Sequence, residues 1–253
     1  MTQEFEGKTA LITGGGTGIG RAAAIQLAAK GCLVTVAGRT VSTLKETVRE
    51  IEAASGKARY VVCDVSDEES VKAAVKVAIG DSGRLDFGVN SAGVSGGDDL
   101  RPTGDYATET FDRIIAIDLR GTFLSMKYEL QQMQTQGFGS IVNLASGASL
   151  VGVPAFSGYT AAKHGVVGLT KTAALDYGHK GIRVNAIAAG LVDTPLVSTG
   201  RSPEIMAARI AAHPIGRIGR ASEIADAVVW LCSDQSSFVT GVALPVDGGY
   251  TAQ

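Results

Sequence analysis

The chain has 253 residues, 45% hydrophobic and 19% charged, with a net charge of −2 at pH 7 and a pI of about 5.9. That is a globular composition with length for a large core, and it lacks a basic field to draw it to nucleic acid or anionic lipid. No run of about 18 apolar residues could span a bilayer, and the polar start Met1–Lys8 has no signal core, so a cytoplasmic protein without membrane partners is expected.

Thr9–Thr13 opens the pattern as a short apolar run rich in β-branched residues. Leu33–Ala37, Arg59–Cys63, Leu85–Asn90, Ser140–Leu144, Arg183–Ala188 and Val242–Val246 read as further strands. Helical patterns separate them at 19–30, 41–54, 67–81, 107–136, 157–179 and 221–233. Strands without polar alternation suit a parallel sheet covered on both faces, so the rhythm predicts a doubly wound α/β fold of about seven strands. Ser66-Asp67-Glu68-Glu69 and Ala221-Ser222-Glu223 mark helix starts, with acids in the first turn. No linker or repeat divides residues 1–253, which are expected to form a single domain. Within it, residues 190–219 hold Pro195, Pro203 and Pro214 and a short helical pattern at Glu204–Ala212. An insertion of this kind after a strand's C-terminal end is the place for a lid or substrate loop. Cys32, Cys63 and Cys232 show no Cys-x-x-Cys spacing, and His164, His179 and His213 show no metal-ligand spacing, so neither disulfides nor a metal site are expected.

Thr13-Gly14-Gly15-Gly16-Thr17-Gly18-Ile19-Gly20 follows the first strand and opens the first helix. Glycines let the backbone turn tightly and approach a pyrophosphate, while the helix N-terminus offers free N–H groups and a positive dipole end. The spacing is G-x-x-x-G-x-G (Gly14, Gly18, Gly20), not G-x-G-x-x-G. In this position it points to a Rossmann-type dinucleotide site held by Gly14, Thr17, Gly18, Ile19 and Gly20. An acid at the end of the second strand would bind the adenosine ribose; here the position is Gly38, and Arg39 follows. An arginine fork suits a 2′-phosphate, so NADP(H) is favoured over NAD(H). Asp64 and Val65, after the third strand, are placed to meet the adenine.

Tyr159 and Lys163 are four residues apart and share a helix face, and Ser146 lies just past the strand Ser140–Leu144. Reducing a ketone requires a proton donor at oxygen while hydride reaches carbon, and oxidation requires the reverse. Lowering a phenol from about 10 by about three units takes about 4 kcal/mol, which one lysine charge about 4 Å away at an effective dielectric of about 20 can supply. The Ser146 hydroxyl can hold the substrate oxygen. Turnover on a carbonyl or secondary alcohol is the expected function; the alternative is a non-catalytic dinucleotide-binding sensor or scaffold.

Taken together, Gly14 through Gly20, Asn90-Ser91-Ala92-Gly93, Ser146, Tyr159-x-x-x-Lys163 and Ala189-Gly190-x-x-x-Thr194 resemble the short-chain dehydrogenase/reductase family in its single-domain form of about 250 residues. The resemblance covers nearly the whole chain. It implies that Asn90 braces the fourth strand against the glycine loop and that Tyr159 and Lys163 also hold the nicotinamide ribose. It assigns Val192 and Thr194 to the carboxamide, and with the ending Val246-Asp247-Gly248-Gly249-Tyr250 it implies a homotetramer. Two positions depart from the pattern. Asp118 stands where the family has an asparagine supporting the water behind the lysine, and an ionised aspartate only accepts hydrogen bonds. Its charge would partly offset that of Lys163. Ala189 stands where a proline is usual, which would loosen the root of the lid. Candidate pocket residues Val94, Ser95, Val151, Val153, Phe156, Leu191, Leu196 and Met206 are mostly apolar and uncharged, favouring a hydrophobic ketone or alcohol, with Gly96-Gly97-Asp98-Asp99 near the mouth.

Overall fold

Every residue of β1 (Thr9–Thr13) is buried, because it is an inner strand of a sheet whose two faces are covered by helices. A computed structural model of the protein describes residues 4–95, 100–198 and 202–252. The other strands are β2 (Leu33–Gly38), β3 (Lys57–Val62), β4 (Phe87–Asn90), β5 (Gly139–Leu144), β6 (Ile182–Ala189), β7 (Val192–Asp193), β8 (Gly219–Arg220) and β9 (Ala243–Val246). Seven of them form one parallel sheet in the order β3-β2-β1-β4-β5-β6-β9, while β7 and β8 pair separately. This is the Rossmann-like doubly wound sheet expected, with strand ends shifted by one or two residues.

Alternation along the strands feeds two cores. Ala10 and Ile12 pack with Leu27, Leu44 and Val228, whereas Leu11 joins Val71, Leu124, Met133 and Ile141 on the opposite face. The first layer thus holds α1 (Gly18–Ala29), α2 (Val41–Ala53) and a late helix at Ala221–Cys232. The second holds α3 (Glu68–Ile79) and helices from 121–136 and 157–177. Asp67 caps α3, its carboxylate accepting the Glu69 N–H at 3.2 Å.

The stretch 107–136 differs from the single helix expected. It divides into α4 (Thr108–Ile114), a π-helical turn at Ile115–Arg120 and α5 (Gly121–Gln136). The wider turn carries Asp118, which is fully buried and whose Oδ1 accepts the Val94 N–H at 2.8 Å. A regular helix satisfies its own backbone and follows local periodicity; here a tertiary bond to the segment after β4 accompanies the extra residue per turn. Beyond it lie α6 (Ser157–Tyr177), α7 (Pro195–Ser198), α8 (Pro203–Ala211) and α9 (Ala221–Cys232). No helix among the described residues is long and apolar enough to cross a membrane.

Strand order reverses between β1 and β4, so a crevice opens at their C-terminal ends, where open α/β sheets bind ligands.

Candidate active site

The glycine loop lies in that crevice. Gly14 has φ +67°, and a Cβ there would stand 2.8 Å from the Ala92 backbone nitrogen, so only glycine lets the loop meet the segment after β4. Gly18 has φ +52°, and a Cβ would approach Thr194 Cγ2 to 3.0 Å, which places the segment after β6 against the loop. Thr17 stands at the N-cap of α1, but its side chain makes no capping hydrogen bond. Thr47 Oγ1 donates to the Gly15 carbonyl at 3.1 Å and Arg21 Nε to the Gly16 carbonyl at 3.0 Å, so the loop is held from α2 and α1.

A groove of about 220 Å³ runs from this loop past Gly38, Arg39 and Thr40 to Asp64, Val65, Ala92, Gly93 and Val94. Arg39 is exposed on its rim. Two hydrogen bonds from Ser66, from Oγ–H at 2.7 Å and N–H at 2.9 Å, hold the Asp64 carboxyl below its ordinary range. Backbone that approaches without Cβ atoms, an uncapped helix start and a rim arginine suit a phosphorylated dinucleotide. Ile19, in the first turn of α1, packs against the core.

Asn90 is also turned away from the groove. Its Nδ2 donates to Glu129 Oε2 and Asn143 Oδ1, both at 3.0 Å, inside the sheet's second layer. The expected bracing of the glycine loop runs through backbone instead, with the Ser91 N–H donating to the Thr13 carbonyl at 3.2 Å. Fully buried Glu129 escaped the sequence reading, because an acid on a helix normally signals a solvated face.

Lys163 is buried between three elements. Its Nζ donates to the Leu144 carbonyl at the end of β5 at 3.0 Å, stands 3.2 Å from Asp118 Oδ2, and lies 5.5 Å from the centre of the Tyr159 ring. Burial pushes the Asp118 carboxyl up, against the pull of the Lys163 ammonium. Burial would lower the ammonium, but Asp118 and Tyr159 outweigh it and hold Lys163 above its ordinary value. Ser146 caps the short turn Gly147–Ser149, its Oγ accepting the Ala148 N–H at 3.2 Å.

Ser146 and Tyr159 open onto a cavity of about 730 Å³. Of the expected pocket residues, Ser95, Val153, Phe156, Leu191 and Leu196 line it. Val94 borders the groove beside the glycine loop instead, and Gly96–Asp99 lie outside the described residues. Val151 and Met206 are not on the wall; Ile205, Ala208, Arg209 and Ala212 are, because residues three or four apart on α8 share its inner face. The pocket is therefore not uncharged. Its floor carries His213, whose Nε2 accepts the Leu191 N–H at 3.0 Å and whose ring stacks on Tyr250 at 5.0 Å. Val192 and Thr194, just past β6, are both buried, and Arg217 pairs with Glu223 at 2.7 Å.

The family model described as Enoyl-(Acyl carrier protein) reductase, one of the short-chain dehydrogenase/reductase family, matches residues 14–251. Cyclohexanol dehydrogenase of Acinetobacter sp. (strain SE19) is 42% identical over 253 residues, covering 100% of this chain and 98% of the relative. The 2,5-dichloro-2,5-cyclohexadiene-1,4-diol dehydrogenase of Sphingobium indicum is 44% identical over 256 residues, covering 98% and 99%. The crystal structure of levodione reductase matches at a TM-score of 0.94 and 38% identity, covering 98% of this chain and 99% of that one. The protein is an NAD(P)-dependent oxidoreductase acting on CH–OH and C=O groups, an enzyme rather than a sensor, and the chain belongs to the short-chain dehydrogenase/reductase family.

Proposed function

We propose that the protein interconverts an alicyclic secondary alcohol and its ketone, with NADP(H) as the preferred cofactor. The observation that carries this is the burial of Lys163 beside the Tyr159 ring, at the junction of the dinucleotide groove and a largely apolar cavity. Gly14, Thr17, Gly18 and Gly20 would hold the pyrophosphate, Arg39 a 2′-phosphate, and Asp64 and Val65 the adenine. Val192 and Thr194 would hold the carboxamide, while Ile19 and Asn90 act from behind the wall. The nicotinamide, when bound, supplies or accepts hydride.

The chain's own residues handle the oxygen and its proton. Ser146 donates a hydrogen bond to the substrate oxygen and orients it. Tyr159 takes the hydroxyl proton during oxidation and returns it during reduction, as general base and acid. Lys163 favours the phenolate by charge, and Asp118 and the Leu144 carbonyl keep the ammonium in place. The apolar walls exclude water and suit a ring such as those in the names of two relatives. Residues 190–219 act as the lid, rooted beside Gly18 through Thr194. Exposed Phe123, Leu175 and Phe238 offer apolar surface for a homotetramer, which sedimentation velocity tests.

Oxidation of cyclohexanol and substituted cyclohexanols with NADP⁺ or NAD⁺, followed by reduced-cofactor absorbance, is the direct test. Tyr159→Phe should lower kcat by about 10²–10⁴ while retaining cofactor binding. Full activity in that variant, or no turnover of any alicyclic alcohol, would overturn the proposal.

A further inference from the structure

One wall of the substrate cavity is α8, through Ile205, Ala208 and Ala212 at its end, yet no residue of that helix is buried. A helix with so little packing takes its position from the bonds at its ends. Just past its C-cap, Ala212, stands His213, which is buried. His213 Nε2 lies 3.0 Å from the Leu191 nitrogen, whose N–H can only donate, so Nε2 carries no proton. The neutral ring then bears its proton on Nδ1, 2.8 Å from the Arg209 carbonyl, one of those that a helix end leaves without an internal partner. The same ring stacks on Tyr250, with 5.0 Å between ring centres and 18° between planes. Tyr250 in turn lies against Gly147, where a Cβ would stand 2.8 Å from its Cδ1. One imidazole thus joins α8 to the end of β6 and to the turn that Ser146 caps.

We propose that neutral His213 is a positioning residue: it holds α8 against the strand end at Leu191, and its protonation releases that wall and weakens substrate binding. The proposal rests on the alcohol–ketone reading above and adds to it a grip on the substrate that depends on pH. An imidazolium carries N–H on both nitrogens, so Nε2 can no longer accept and would face the Leu191 N–H donor to donor. The surrounding charges pull both ways. Asp247, Arg217 and Glu223 line a second cavity of about 310 Å³ together with His213. Asp247 and the negative end of α8 favour the charged ring, Arg209 and Arg217 oppose it, and Glu223 is paired with Arg217. Tyr159 and Tyr250 are the other titratable groups on the substrate-cavity wall.

The test follows cyclohexanone reduction by NADPH from about pH 8 to about pH 5.5. In the wild type KM for the ketone should rise at least about fivefold toward acid, while kcat, which uses the protonated phenol, holds. His213→Gln, whose amide oxygen can accept the same N–H without titrating, should keep KM low throughout. His213→Leu should keep it high throughout. A flat wild-type KM would overturn the proposal without any variant; so would an equal rise in His213→Gln, or a wild-type KM in His213→Leu at about pH 8. If the ketone is not reduced at all, the alcohol–ketone reading fails. Hydrogen exchange of the Leu191 amide, corrected for its intrinsic pH dependence, then decides the role of His213 separately. Protection lost in acid by the wild type and kept by His213→Gln supports that role, and equal protection in the two removes it.

Discussion

Replacing Asp118 with asparagine tests how Lys163 is poised. The carboxylate lies 3.2 Å from Lys163 Nζ, which lies 5.5 Å from the centre of the Tyr159 ring. At about 9 Å from the ring centre, the largest separation those distances allow, and an effective dielectric of about 20, one charge acts at the ring with about 2 kcal/mol, slightly more than one pH unit. Asparagine keeps an oxygen for the Val94 N–H, which now reaches Oδ1 at 2.8 Å, so the segment after β4 stays tied. Removing a negative charge favours the deprotonated phenol. The rising limb of kcat/KM for alcohol oxidation should therefore move to lower pH by about one unit. The falling limb for ketone reduction, which needs the protonated phenol, should move down with it. Initial rates in both directions across about pH 6–10 provide the comparison. Superimposable profiles, or movement to higher pH, would show that the Asp118 charge is not felt at the phenol and would sink the reasoning.

Two further changes probe the layer behind the site and the rim of the groove. Burial pushes the Glu129 carboxyl from 4.5 up to about 7, so the folded state holds its proton more tightly than the unfolded chain does. Stability is then greatest below about pH 4.5 and falls by about 3 kcal/mol as pH rises to about 7. Glu129→Gln should flatten that fall, seen as a Tm gain at about pH 8 that is absent at about pH 4; parallel Tm curves would refute it. Arg39→Ala should weaken NADPH binding by at least about tenfold and barely alter NADH binding; equal losses would remove the argument for NADP(H).

Much of this was legible in the chain. Runs without polar alternation such as Thr9–Thr13, with Ala10, Leu11 and Ile12 in succession, suit burial on both faces, so the parallel sheet followed from periodicity. The Tyr159–Lys163 spacing put both residues on one helix face without reference to any other element. What was not legible depended on contacts between distant segments. Nothing in Ile114–Gly121 signals a π-helical turn, since its geometry is bound up with Asp118 reaching Val94, 24 residues earlier in sequence. Met206 was expected on the wall, where Ile205 and Arg209 stand, because the rotation of a nine-residue helix is set by what it packs on, here through His213 and Leu191. Asn90 followed the same logic, its direction fixed by the pleat of β4.

The Lys163–Asp118 pair shows why stability alone does not account for such a site. Both side chains are almost inaccessible, and removing two charges from water costs several kcal/mol for each ion, which their attraction only partly returns. A well-packed apolar pair there would be no less stable. What the ions supply is position: the ammonium must satisfy the Leu144 carbonyl, and the carboxylate must satisfy the Val94 N–H. Those two bonds fix the ends of β5 and β4 relative to α6 and the π-helical turn. Between them these segments border the groove beside the glycine loop and the cavity beside Tyr159, since Val94 and Ile117 line the first and Ser146 and Tyr159 the second. The pair that would tune the proposed proton transfer thus also holds the wall of the groove to the wall of the cavity.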